Sequence, residues 1–125
     1  MADDPLSWPE VAARLAVARN YWLSTTAPSG APHAAPVWGV VTGGTLYLYS
    51  ERSTVKARNL AADPRVVVHL ESGDDVVIVR GTAEADRQYL PEADPDFDVV
   101  YAIRPQSAMM WRPADYEASQ RRWSC

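Results

Sequence analysis

The chain of 125 residues carries a formal net charge of −4 and an apolar share of 47%, which fits one soluble globular domain spanning residues 1–125. There is no apolar run of about 18–20 residues and the start is acidic, which argues against a membrane span and a signal peptide. The single cysteine, Cys125, excludes a disulfide scaffold, and the net acidity argues against nucleic acid as the main partner. We therefore expect a cytoplasmic protein without a nucleic-acid or membrane partner.

The amino-terminal part of the chain predicts one helix followed by strands. Ser7-Trp8-Pro9-Glu10 has the S-x-x-E spacing of a capping box, and the apolar residues behind it predict a helix from about Trp8 to Arg19. The strands predicted next are Tyr21–Thr26, Val37–Val41 and, after a hairpin turn at Thr42-Gly43-Gly44, Thr45–Ser50. Trp38 is expected to pack in the core, where truncation of a large aromatic side chain costs about 3–5 kcal/mol.

A second helix and further strands follow. The pattern between Glu51 and Ala62 is helical, with Val55, Asn59 and Ala62 on one face, and Asp63-Pro64 ends it. Strands are predicted next at Arg65–Leu70 and at Val76–Val79, and the second of these continues past Gly81 as an edge segment to about Asp86. After it the sequence predicts a loop at Pro91–Asp98, a strand at Ser107–Arg112 and a partly ordered tail at Tyr116–Trp123. Together these elements predict a mainly β (α+β) fold, a small antiparallel barrel of six strands. The crossover helix must then plug one end of the barrel or lie across its outside.

The sequence does not favour most kinds of catalytic centre. Nucleophilic catalysis needs a Ser or Cys beside a general base, but Cys125 is terminal and the chain has only two histidines, His33 and His69. These histidines are far apart in the chain, and the acidic segment 94–98 (Asp94, Asp96 and Asp98) lacks the glycine and distal glutamate of a calcium loop. We expect no metal site and interpret the acidic segment as solvated surface.

The stretch Ser50–Leu60 carries the clearest chemical signal. The chain has eleven arginines but one lysine, Lys56, which falls in the first turns of the predicted crossover helix. Its neighbours include the hydroxyl residues Ser50, Ser53 and Thr54 and the cations Arg52 and Arg58. Free N–H groups and the dipole at a helix start favour an anion, so these side chains predict a phosphate or carboxylate site. The alternative is an N-cap at Ser53 or Thr54 followed by a solvated basic face.

Four motifs covering about residues 10–86 resemble those of the FMN-binding split-barrel superfamily, the pyridoxamine 5′-phosphate oxidase-like flavin and deazaflavin oxidoreductases. In chain order they are Trp22-Leu23-Ser24-Thr25, Gly30-x-Pro32-His33-x-x-Pro36-Val37-Trp38, Thr54-x-Lys56-Ala57-Arg58-Asn59-Leu60-Ala61-x-Asp63-Pro64-Arg65-Val66 and Val77-x-Val79-x-Gly81-Thr82-Ala83. The resemblance implies a six-stranded split barrel that forms a homodimer, with two cofactor sites where the subunits meet.

The resemblance also implies which residues bind the cofactor. The cofactor phosphate would lie against Thr54 and Lys56, with Ser50 and Arg52 close by. The ring system would lie along the second and third strands, near His33, Pro36, Val37 and Trp38. Asn59 either ties the helix to a neighbouring backbone or contacts the cofactor, and His33 is either a positioned strand residue or a proton donor.

The choice of cofactor follows from finer likenesses. Two segments are most similar to the branch that uses the deazaflavin F-420: the sequence Lys56–Leu60, and the carboxyl-terminal segment with Trp111 and Arg121-Arg122-Trp123. F-420 carries a polyglutamate tail, whose carboxylates would suit Arg58. FMN is the alternative cofactor. The same resemblance implies that Trp111, Arg122 and Trp123 line a substrate pocket. Alternatively, Arg122 and Trp123 belong to a tail on the protein surface.

The predicted function is an oxidoreductase that uses bound F-420 to transfer a hydride to or from a small organic substrate. The alternatives are an FMN-dependent pyridoxamine 5′-phosphate oxidase-like enzyme and a non-catalytic flavin- or deazaflavin-binding protein. Because such cofactors bring their own redox chemistry, we predict no catalytic residue among the side chains.

Overall fold

A computed structural model describes residues 6–86 and 97–125 of the chain. The helices are α1 (Trp8–Ala16), α2 (Val55–Ala62) and α3 (Tyr116–Ser119), with a 3-10 turn at Pro113–Asp115. The strands are β1 (Asn20–Thr26), β2 (Pro32–Thr42), β3 (Thr45–Ser50), β4 (Arg65–His69), β5 (Val76–Ala85), β6 (Val99–Trp111) and β7 (Arg121–Ser124). Within this described part, no helix has the length and apolar character that crossing a bilayer requires.

The strands form one antiparallel sheet that closes on itself. Their order is β3-β2-β1-β4-β5-β6-β7, and β3 also pairs with β6, so that six strands form a closed barrel and β7 lies beside β6. The predicted mainly β fold with a six-stranded antiparallel barrel is therefore confirmed. Alternate residues of the strands fill the interior, and the fully buried ones include Leu23, Leu48, Val68 and Val79.

Helix α1 packs its apolar side against the barrel. Its N-cap is Ser7, whose Oγ accepts a hydrogen bond from the backbone N–H of Glu10 at 3.3 Å, as the capping box predicted. Val11 and Leu15 are fully buried, and the helix contacts β2, β3, β5 and β6. This helix therefore supplies part of the core.

Helix α1 ends at Ala16, three residues before the predicted end at Arg19. The hydroxyl of Tyr21 donates to the carbonyl of Leu15 at 2.6 Å and lies 3.0 Å from the carbonyl of Ala18. A side chain of β1 therefore satisfies carbonyl groups that a further helical turn would otherwise have used.

Helix α2 crosses from β3 to β4 and packs on β1 and β2, the strands that separate them in the sheet. It begins at Val55, four residues later than predicted. Its buried residues are Ala57, Asn59 and Leu60. Of the three residues that the pattern groups on one face, Val55 and Ala62 are exposed and only Asn59 is buried, because the i, i+3 pair Ala57 and Leu60 faces the barrel.

Strand β5 lies between β4 and β6 up to Thr82, and Glu84 and Ala85 pair with β6 alone, so the predicted edge segment after Gly81 is correct for the end of the strand. It pairs with β4 on one side and with β6 on the other. The β5–β6 register shifts between Arg80 and Gly81. A Cβ on Gly81 would lie only 2.1 Å from the carbonyl oxygen of Arg104, so the two backbones approach too closely for any side chain here.

The carboxyl-terminal part is more regular than predicted. Strand β6 begins at Val99 rather than Ser107, and Pro105 sits at the register shift, where the hydrogen-bond ladder is interrupted. The predicted partly ordered tail contains α3 and β7, and β7 pairs with residues 107–110 of β6. These additions complete the sheet beyond the barrel.

The pairing of β3 with β6 forms the seam that closes the barrel. Ser50 lies opposite Val99, and its carbonyl accepts from the backbone N–H of Asp98 at 3.1 Å. The Asp98 carboxylate in turn accepts from the backbone N–H of Arg52 at 2.7 Å. Asp98 therefore holds the turn after β3. Residues 91–96 of the predicted acidic loop are not among the residues that the structure describes.

Candidate functional site

A cavity of about 430 Å³ opens where β3 ends and α2 begins. It brings together six of the residues predicted to bind the cofactor: Pro36, Val37, Trp38, Ser50, Thr54 and Lys56. The rest of its lining is Asn20, Tyr49, Glu51 and Phe97. We refer to it below as the seam cavity, because Ser50 and Phe97 lie at the closure of the barrel.

The hydroxyl groups at the start of α2 are held by the chain itself. Thr54, and not Ser53, is the N-cap, and its Oγ1 accepts from the backbone N–H of Ala57 at 3.3 Å and donates to the carbonyl of Glu51 at 2.7 Å. The buried Oγ of Ser50 lies 3.1 Å from Thr54 Oγ1. These contacts fix the backbone of the first turn of α2 at the edge of the cavity.

Lys56 is the cation of the seam cavity. Burial lowers the pKa of its ammonium group, and the nearby carboxylate of Glu51 opposes this shift. The lysine is therefore partly desolvated and only weakly compensated by its neighbours. An anion entering the cavity would supply the missing charge and hydrogen bonds.

The other end of the seam cavity is aromatic. The Phe97 ring lies 5.8 Å from the Trp38 ring, edge to face, and 5.7 Å from the Tyr49 ring, centroid to centroid. The Arg19 guanidinium lies 3.9 Å from the centroid of the Trp38 ring, on one face of the indole. Burial raises the pKa of Tyr49, so this phenol stays neutral at physiological pH. The cavity thus joins a cationic end to flat apolar rings.

Trp38 is not a core residue, and that prediction was wrong. Its side chain is 43% exposed, on the outer face of β2. Residues alternate between the two faces of a strand, and the inward position is taken by Val37, which is buried. Trp38 therefore contributes to the wall of a cavity rather than to the barrel interior.

Arg52 and Arg58 lie away from the seam cavity. Both line a neighbouring cavity of about 350 Å³ beside α2, together with Leu60, Ala83 and Tyr101 among others. The structure thus separates these two arginines from Lys56, although the sequence places all three within seven residues.

Asn59 and His33 are also outside the seam cavity. The Asn59 side chain is buried and donates through Nδ2 to the hydroxyl of Thr25 at 3.0 Å, so it ties α2 to a side chain of β1 and not to a backbone group. His33 lies opposite Thr25 on β2, and its buried Nδ1 has no hydrogen-bond partner in the described part of the chain.

The residues predicted for the substrate pocket are not gathered into one cavity of a single chain. Arg122 and Trp123 line a cavity of about 540 Å³ over β5, β6 and β7. Trp111 lines a different cavity of about 370 Å³, and its ring lies 6.0 Å from that of Tyr116. Trp123 also packs on Trp8 of α1, with 5.4 Å between ring centroids.

The sequence analysis missed Tyr49 and Phe97 as cavity residues. Tyr49 follows from the alternation of β3, since the strand ends beside the predicted anion site. Phe97 had only the signal of being the single phenylalanine of the chain. Its place depends on the pairing of β3 with β6, which no local pattern specifies.

The chain was compared with family profiles, with curated proteins and with solved structures. The sequence profile described as pyridoxamine 5′-phosphate oxidase matches residues 7–112. Among curated proteins, none matches this chain significantly. Solved structures do match, among them a conserved hypothetical protein from Mycobacterium tuberculosis, with 27% identity over 90% of this chain and 88% of that one and a TM-score of 0.72.

Two further solved structures share the fold at lower identity. One, named an F420 reductase, has 24% identity over 76% of this chain and 93% of its own, with a TM-score of 0.62. The other is general stress protein 26 from Bacillus anthracis, with 21% identity, 81% and 91% coverage and a TM-score of 0.66.

Proposed function

Because this chain belongs to the pyridoxamine 5′-phosphate oxidase family, we propose that it is an oxidoreductase that binds the deazaflavin F-420 and transfers a hydride to or from a small organic substrate. The observation that carries the proposal is the seam cavity, which joins Lys56 to the aromatic side chains Trp38, Tyr49 and Phe97. The F420 reductase among the structural neighbours adds support for this cofactor.

The residues of the seam cavity fit a cofactor with a phosphate and a planar ring. Lys56 is partly desolvated and would gain a counter-ion from the phosphate. The rings of Trp38 and Phe97 offer apolar surface to the ring system. Arg52 and Arg58, in the neighbouring cavity, carry the charge that the carboxylates of a polyglutamate tail would need.

In the proposed mechanism the side chains bind and orient, and the cofactor supplies the hydride chemistry when it is bound. Lys56 and the first turn of α2 hold the phosphate end. Trp38, Tyr49 and Phe97 hold the ring end and exclude water from it. The neutral Tyr49 hydroxyl can donate a hydrogen bond without adding charge to the cavity.

The proposal includes a homodimer with the cofactor between the subunits. The outer face of β2 presents a row of exposed apolar side chains, namely Ala34, Pro36, Trp38 and Val40. A row of this kind favours coverage by a second copy, and Pro36 and Trp38 belong to the seam cavity as well. We expect Val40→Asp to shift the mass measured by light scattering from dimer towards monomer, and a wild-type chain that is monomeric would refute the dimer.

FMN is the second candidate cofactor, favoured by the family match itself. It shares the phosphate and the flat tricyclic ring, so the seam cavity suits both. A third candidate is a binding protein without turnover, since the seam cavity would hold the cofactor in the same way whether or not a substrate then reacts.

The test is to titrate the purified protein with F-420 and, in parallel, with FMN at the same salt concentration. Quenching of fluorescence reports the binding of each cofactor. Tighter binding of F-420 supports the deazaflavin proposal, and turnover with the reduced cofactor then separates an enzyme from a binding protein. Tighter binding of FMN would change the proposed cofactor from F-420 to FMN and leave the proposed binding cavity unchanged. Binding of neither would overturn the redox function.

A further inference from the structure

We propose that the cavity over β5, β6 and β7 is a second ligand site, which binds an organic anion with an apolar body. The described residues that line this cavity of about 540 Å³ are all different from those that line the seam cavity. Its affinity for an anion stands on its own residues, and only its assignment to the substrate rests on the proposed function.

The strand register puts two rows of side chains side by side in this cavity. Arg80, Ser107 and Ser124 lie directly opposite one another on β5, β6 and β7. In the adjacent row Ile78, Met109 and Arg122 are opposite one another in the same way. Paired residues point to the same side of a sheet, so all six project together from the outer face.

The polar part of the cavity is cationic and rich in hydroxyl donors. Among the residues that the structure describes, its lining includes Arg80 and Arg122 but no carboxylate. Within residues 6–86 and 97–125 neither arginine forms an ion pair, although five other arginines of the chain do. Two uncompensated guanidinium groups in an acidic protein, with Ser107 and Ser124 between them, are suited to a carboxylate or phosphate.

One of these arginines is already oriented. With the Gln120 amide turned so that its oxygen faces Arg122, this oxygen accepts from Nε at 2.7 Å and from Nη2 at 3.1 Å. The partner is neutral, so it fixes the guanidinium without cancelling its charge. Nη1 remains available to a ligand.

The rest of the lining is apolar. Ile78 and Met109 are half-buried in the same rows as the two arginines, whereas the side chains of Ala108 and Trp123 face the other side of the sheet, where Ala108 is buried and Trp123 packs on Trp8. An inorganic anion would leave this surface uncovered, whereas an aryl or alkyl group would bury it. The ligand class is therefore an aromatic or aliphatic carboxylate or phosphate.

The experiment is calorimetric titration of the full chain with phenyl phosphate, benzoate and inorganic phosphate as probes. We expect phenyl phosphate or benzoate to bind more tightly than inorganic phosphate. Arg80→Gln and Arg122→Gln should each weaken this binding by roughly tenfold or more, the loss typical of a charge-assisted hydrogen bond. Arg104→Gln is the matched control, since Arg104 is an exposed arginine of β6 that pairs with Glu84 outside the cavity.

The outcomes separate this site from the proposed cofactor. Probe binding to the Lys56→Gln variant that survives both Arg80→Gln and Arg122→Gln, or no binding to the wild-type chain, overturns the site. If inorganic phosphate binds as tightly as phenyl phosphate, the inference that the ligand has an apolar body is overturned. In a Lys56→Gln background, which removes the phosphate end of the seam cavity, the part of probe binding that depends on Arg80 and Arg122 should persist. A protein that binds the probe there but binds neither F-420 nor FMN would refute only the cofactor.

Discussion

The side chain of Asn59 donates a hydrogen bond of 3.0 Å to the hydroxyl of Thr25, and both residues are buried, at 4% and 3% exposure. This bond joins α2, which carries Lys56, to β1 of the barrel. Removing one partner leaves a buried polar group unsatisfied, which costs about 1–3 kcal/mol.

We therefore expect Asn59→Ala to lower the free energy of unfolding in urea by this amount. The double variant Asn59→Ala, Thr25→Val should lose less than the sum of the two single variants, because it removes both ends of one bond. Strict additivity of the two losses would show that the pair is not coupled.

Lys56→Ala should weaken binding of the cofactor by about 1.5–3 kcal/mol, the contribution of a hydrogen bond to a charged group. The melting temperature of the ligand-free protein should not fall, because the lysine is partly desolvated and its pKa is lowered in the folded state. Arg104→Ala serves as the control for a general loss of positive charge. A wild-type dissociation constant for Lys56→Ala would remove Lys56 from the site.

Trp38→Ala should affect the ligand more than the fold. Since the indole is half-exposed, its truncation should cost about 1–1.5 kcal/mol of stability instead of the ~3–5 kcal/mol of a core aromatic. Cofactor affinity should fall by roughly tenfold or more as one face of the ring contact is lost. Val37→Ala, at the neighbouring buried position, should show the opposite balance in the same two measurements.

Gly81→Ala should destabilise the barrel severely, by more than about 3 kcal/mol, because the new Cβ would collide with the backbone of Arg104. Gly73→Ala is the matched control, since a Cβ there meets no atom of the described residues within 4 Å. Urea unfolding of the two variants checks the prediction. Similar midpoints for both would mean that β6 can shift away from β5 at little cost.

Alkaline pH should weaken the fold through Tyr21. Burial raises the pKa of this phenol from 10.0 to about 12, with a smaller contribution from Tyr49. The folded state therefore keeps the proton more tightly than the unfolded state, so its stabilising effect is complete below pH 10 and is lost as the pH rises from about 10 to about 12.

The matched variant is Tyr21→Phe, whose stability should be lower at pH 8 and should depend less on pH across that window. Tyr49 and Tyr101, whose pKa values burial also raises, act in the same direction in both proteins, and Lys56 acts in the opposite one. The difference between wild type and variant isolates Tyr21. Parallel pH profiles would contradict its role.

Local patterns were sufficient for the elements that short-range chemistry specifies. The capping box at Ser7 and the two-glycine turn at Gly43 and Gly44 were correctly predicted, the latter because both glycines adopt positive φ, 58° and 79°. The residues predicted to bind an anion are only partly gathered in the structure, and whether they bind one stays a prediction. Ser50, Thr54 and Lys56 meet in one cavity, whereas Arg52 and Arg58, only a few residues away, line another.

The remaining features depend on contacts between distant parts of the chain. The first half of β6 was missed because Pro105 interrupts it at a register shift. The burial of Trp38 was misjudged because a residue's face follows from strand pairing, which the apolar content of β2 does not reveal.

The seam between β3 and β6 has a consequence for folding. It joins residues 47–50 to residues 99–102, so its closure must overcome the entropy of a loop about fifty residues long. We expect closure to be a late event in a slowly folding barrel. Since Tyr49, Ser50 and Phe97 meet only there, a chain that has collapsed but not closed cannot capture a ligand in the seam cavity. Ligand capture during refolding would thus report the final step of assembly.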